Sequence, residues 1–99
     1  MKTKFTSMSL SLDIHRAKLV IRILYARSQD DIQWFISVAI QEMTKNRVDR
    51  YVIIRFIDKI INQLELINPL VPTDQEKNMT AAKDFLHKEK QVTQQQLLA

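Results

Sequence analysis

The chain has 99 residues, of which 45% are hydrophobic and 26% charged, with a formal net charge of +4. That length and balance suit one globular domain around one core rather than a disordered or fibrous chain. Cysteine and glycine are both absent; the first absence excludes disulfides, zinc–thiolate sites and redox pairs, and the second excludes glycine-rich phosphate loops and nucleophile elbows, which need close backbone approach or positive φ.

The opening residues, MKTKFTSMSLSLD, carry Lys2 and Lys4 but alternate serine with single apolar residues and meet Asp13, His15 and Arg16 before any continuous apolar run. That is not the pattern of a signal peptide, and residues 1–9 read as a flexible N-terminus. A first helix is expected over about 10–27, capped by Ser9 or Ser11. Leu10, Ile14, Ala17, Ile21 and Leu24 make one apolar face, Leu12, Leu19 and Ile23 a second, while His15, Lys18, Arg22 and Gln29 share the polar side. Met8, Leu10, Leu12 and Ile14 also alternate with polar neighbours at period two, as in a half-buried strand. Length and periodicity favour the helix.

A second helix is expected over 29–45. Ile32, Phe35, Ile36, Ala39, Ile40 and Met43 follow the i, i+3, i+4, i+7 stripe of a helix with one buried face. Ser28 suits the N-cap, Asp30 and Asp31 the positive end of the helix dipole, and Lys45 with Arg47 the negative end. Trp34 and Val38, an i, i+4 pair, widen the apolar arc.

A third helix is expected over 49–67, with Asp49 as cap and a stop before Pro69. Ile53, Phe56, Ile57, Ile60, Leu64 and Ile67 form its main face, and Val52, Ile54, Ile61 and Leu66 spread apolar surface around most of the circumference. Such a helix is central or lies in an interface. Arg55, Asp58, Lys59, Asn62 and Glu65 interrupt the run, so it is too polar to span a membrane, and the expected setting is cytoplasmic.

After the PLVP segment, in which Leu70 and Val71 are candidate anchors, Thr73-Asp-Gln-Glu76 reads as a capping box opening a fourth helix over 73–90. Its apolar face, Met79, Ala82, Phe85 and Leu86, is narrow, and residues 91–99 read as a frayed or disordered tail. The expected fold is therefore all-α, a single domain over 1–99, built as an up-down bundle of three long helices plus a weaker C-terminal fourth. Short connections make the first three antiparallel neighbours.

Chemistry-bearing constellations are sparse. Asp84 and His87 sit at i, i+3, but a bundle metal site needs that motif twice with inward glutamates, and two histidines do not furnish a serine triad from Ser7, Ser9 or Ser11. No catalytic residue, metal or cofactor is assigned, and the chain reads as a non-enzyme. The charge is more informative. Residues 1–28 carry six Lys and Arg against Asp13 alone, a net +5, while the rest of the chain sums to −1. The candidate anionic-partner face is thus His15, Arg16, Lys18, Arg22 and Arg27, suited to phosphates or an acidic protein surface.

A helix-turn-helix reader is excluded because its recognition helix would be the apolar 51–67. A β-ribbon reader would pair Met8–Ile14 with its copy, and ARSQDDIQWFISVAI over 26–40 faintly resembles the second helix of ribbon-helix-helix repressors. That similarity covers about a third of the chain, lacks basic readers on the strand and leaves the third and fourth helices without a role.

Two elements are apolar on more sides than a small bundle needs, and surplus apolar faces go into partners. The expectation is a helical protein–protein interaction module, most economically a homodimer, with Trp34 as the candidate interface anchor. The alternative is a basic nucleic-acid-binding accessory protein using the first segment and helix.

Overall fold

Four α-helices, α1 (Lys4–Leu24), α2 (Gln29–Lys45), α3 (Arg50–Leu66) and α4 (Pro72–Leu98), make up the protein in a computed structural model that describes residues 4–67 and 72–98, with side-chain burial described for 12–67 and 74–97. The fold is an all-α bundle. One apolar cluster draws on all four helices: Leu19, Val20 and Ile23 from α1, Ile32, Ile36 and Met43 from α2, six residues from α3, and Met79, Ala82 and Leu86 from α4. The PLVP segment lies outside the described residues apart from Pro72, so its expected anchors Leu70 and Val71 are not placed.

The two central helices start where their caps put them. The Ser28 side chain accepts from the Asp31 N–H at 3.1 Å, and Asp49 Oδ1 accepts from the Tyr51 N–H at 2.8 Å, so each satisfies a donor that has no partner within its helix. On α3 the buried residues are Ile53, Phe56, Ile57, Ile60, Ile61 and Leu64, the expected face with Ile61 added and Ile67, now the C-cap, only half-buried. Leu66, at the far side of the last turn, is 83% exposed.

Between these helices a glycine-free chain has to make a C-cap. Val48 N–H donates to Met43 O at 2.9 Å and Arg47 N–H to Thr44 O at 3.1 Å, the paired bonds of a Schellman motif after the Asn46 cap. The motif requires a left-handed residue, and Arg47 takes it at φ 60°. A non-glycine residue there crowds its Cβ against the following carbonyl. Arg47→Gly should accordingly raise stability by about 0.5–1 kcal/mol, after allowing for the greater unfolded-chain entropy and the lost charge at the helix end. A thermal melt measures it, and a lower midpoint for the variant would contradict the argument.

The first helix departs from expectation at both ends and in its facing. It begins at Lys4 rather than near 10, so residues 4–9 are helical, and the strand alternative over 8–14 is replaced by helix. It stops at Leu24 rather than 27, where Ala26 N–H turns back to Ile23 O and the Asn78 side chain donates to both Leu24 O and Ala26 O, at 3.1 and 3.0 Å. The core takes the face of Leu12, Leu19 and Ile23, joined by Val20, whereas Ile14, Ala17 and Ile21 point outward. Both stripes have helical period; α2 and α4 offer apolar surface to only one of them.

The fourth helix is the longest, and it packs on all three others, most extensively on α3 and then α2, whereas α2 and α3 touch each other least. Pro72, not a Thr73 cap, occupies its first position, where the missing N–H is no loss. Its buried positions, Gln75, Met79, Ala82, Leu86 and Thr93, follow the 4-3-4-7 spacing of a coiled-coil seam, so the helix passes the expected end at 90 and stays docked. Thr93 meets that burial by donating its hydroxyl to Glu89 O at 2.9 Å. Lys90 Nζ and Asp58 Oδ1, 2.7 Å apart, tie the same stretch to α3.

Candidate functional site

Seen down its axis, α1 divides into three sectors. Leu12, Leu19, Val20 and Ile23 face the core; Ile14, Ala17, Ile21 and Tyr25 run along the opposite, solvent side; His15, Lys18 and Arg22 lie between the two on the flank toward α2. The spacing i, i+3, i+7 holds the basic three in one row. The side chain of Leu10, the first residue of the expected face, lies outside the described burial.

The basic row forms one wall of a cleft of about 460 Å³ between α1, α2 and the start of α3. The floor is apolar, with Leu12 and Leu19 from α1, Phe35, Val38, Ala39 and Met43 from α2, Val48 from the turn and Phe56 from α3. Glu42 and Asn46 stand on the α2 side. A four-residue connection joins α1 to α2, and Arg22 lies beside Phe35 near that turn. The Arg22 guanidinium carbon is 5.9 Å from the Phe35 ring centroid, within cation–π range.

The five residues expected on one anionic-partner face are thus divided. His15, Lys18 and Arg22 share the cleft wall. Arg16 turns inward and is paired with Asp13 at 2.9 Å, and Arg27 lies beyond the helix in the exposed turn. Among the described residues the ion pairs are Arg16–Asp13 and Lys90–Asp58, which leaves Lys18 and Arg22 without a carboxylate partner there.

Trp34 is not a core neighbour of Val38. It is 63% exposed and rests edge-on against Phe35, with ring centroids 6.0 Å apart and planes at 70°. Ile21, Arg22, Tyr25 and Arg27 line a shallower hollow of about 320 Å³ at the hairpin turn, with Asp31 and Phe35 on its other side, so Arg27 meets the basic row there through Arg22. Ile21 and Tyr25, 58% and 66% exposed, line that hollow with Phe35, and Trp34 touches the same Phe35 ring.

The floor residues Met43, Val48 and Phe56 and the opposing Glu42 are site members that a helix-by-helix reading of the sequence does not find. The signal was the short connection between α1 and α2, which makes them neighbours and brings 22 beside 35. Asp84 and His87 are both exposed, and among the described residues no three His, Asp or Glu side chains gather as metal ligands. Among those residues, no helix is long and apolar enough to cross a membrane. Comparison with known proteins finds no matching family model, no matching curated sequence and no matching solved structure.

Proposed function

We propose that the protein is a non-enzymatic helical interaction module that pairs with a second copy of itself through the outer surface of the α1–α2 hairpin. The observation that carries this reading is the exposure of Ile21, Tyr25 and Trp34 around one end of that hairpin, with Ile14 extending the stripe along α1. Large apolar and aromatic side chains grouped on a surface lose least when a partner covers them, and tryptophan and tyrosine are the types that anchor interfaces. A two-fold axis makes the patch its own partner without requiring another protein.

The charge supplies a further criterion. Lys18 and Arg22 flank the outer stripe, so two copies meeting there bring like charges together, and salt should strengthen the association by screening them. Sedimentation equilibrium across micromolar concentrations tests the pairing, and the emission of the single tryptophan, Trp34, should shift to shorter wavelength as copies associate. Trp34→Ala should weaken association about tenfold or more while leaving the monomer folded. A strictly monomeric mass at the highest concentration rejects self-association.

The second reading is phosphate binding by the same helix, favoured by Lys18 and Arg22, which have no carboxylate partner among the described residues. It has the opposite salt dependence. Two such contacts give a slope of about −1.8 in log K against log salt on duplex DNA, and Lys18→Gln with Arg22→Gln removes it. Pairing with Asp13 takes Arg16 out of the basic surface that this reading needs, so association of copies is preferred.

A further inference from the structure

We propose that the cleft between α1 and α2 binds a small amphipathic anion, a medium-chain carboxylate whose chain lies on the apolar floor and whose head group meets Lys18 and Arg22. The inference goes beyond self-association, because it concerns the flank of α1 turned toward α2 and not the outer stripe. Its first support is size and lining. A cleft of about 460 Å³ with a floor built from Leu19, Val38, Ala39, Met43 and Phe56 has the volume and chemistry of small-molecule sites, which are mostly apolar with a few placed polar groups.

The second support is the charge of the lining. Lys18 and Arg22 have no carboxylate partner among the described residues, and against them the cleft sets the single carboxylate of Glu42. Two cationic side chains against one carboxylate leave the lining with an excess of positive charge, so the site favours an anionic head group over a cationic one. The Phe35 ring, 5.9 Å from the Arg22 guanidinium carbon, favours positions of that side chain beside the cleft.

The test uses the full chain and 1-anilinonaphthalene-8-sulfonate, an anion that fluoresces in apolar surroundings. Its emission should saturate at one probe per chain, and decanoate should displace it while decyltrimethylammonium, of equal chain length and opposite charge, should not. Arg22→Gln, at an exposed position, should weaken decanoate binding about tenfold with an unchanged circular dichroism spectrum. Ala39→Phe, which fills the floor, should abolish displacement. Ile14→Ser, on the outer stripe and outside the cleft lining, should leave the decanoate affinity unaltered even where it disrupts association, so the two readings fail separately. Equal displacement by the cationic chain, an Arg22→Gln variant that binds as well as the parent, or the absence of saturable probe binding would each overturn the proposal. Displacement by an acidic amphipathic helical peptide but not by decanoate would overturn it as well and assign the cleft to a protein partner.

Discussion

Ile57→Ala should lower the unfolding free energy by about 3 kcal/mol, and the melting temperature by about 12–24 °C. Ile57 has no exposed surface and sits on the most heavily buried face in the protein, among Ile53, Phe56, Ile60 and Ile61. Removing three carbons there forfeits their transfer free energy and leaves a cavity that helices fixed on several sides close only in part. A domain of this size holds roughly 5–15 kcal/mol in total, so the variant sits near the margin of folding. Leu66→Ala is the control: same helix, 83% exposed, and expected to change stability by no more than about 0.5 kcal/mol. Urea denaturation at one fixed protein concentration measures both, since association makes stability concentration-dependent. Equal effects of the two substitutions would mean that the α3 face is not where the core lies.

Asn78→Ala should cost about 2 kcal/mol although it deletes only a part-buried polar group. The Asn78 amide donates to Leu24 O and Ala26 O, carbonyls at the end of α1 that have no partner further along their own helix. One side chain on α4 therefore does for α1 what a local cap would do, and it does so across 54 residues of sequence. Loss of both bonds leaves two carbonyls to find water at the edge of the core. Amide hydrogen exchange of residues 21–26 should accelerate together with the fall in denaturation midpoint. A variant with unchanged exchange in that turn would show that the helix end is held by something other than Asn78.

The legible and illegible parts of this fold divide on a physical line. Ser28 and Asp49 announce helix starts because capping is a local transaction between a side chain and N–H groups two or three residues away. Six of the α2 stripe positions and most of the α3 face follow from period alone. On α1 the sequence offers two stripes of equal quality, and only the neighbours decide that Leu19, Val20 and Ile23 go in and Ile14 and Ile21 stay out. The end of the same helix is set by Asn78, which no local pattern reveals. On α4 the seam passes through Gln75, Ala82 and Thr93, residues that weigh little or negatively in a count of apolar positions, so the helix reads as weak when it is the most widely shared element. The site divides likewise: the basic row of His15, Lys18 and Arg22 is visible as helical spacing, while the floor from Met43, Val48 and Phe56 exists only after three segments meet.

The length of α4 has a consequence for the order in which the protein comes into being. Its 27 residues extend about 40 Å, close to the 44 Å long dimension of the molecule, and each of the other helices leans on it. Translation delivers this spine after α1, α2 and α3. At about 5–20 residues per second its synthesis takes roughly 1–5 s, far longer than a helix needs to form or a short chain to collapse. Through that interval the buried face of α3, whose largest contact is with α4, has only its smaller contacts with α1 and α2 to cover it. Until α4 docks, the most apolar face of the protein is only partly covered, so closure of the core waits on that helix.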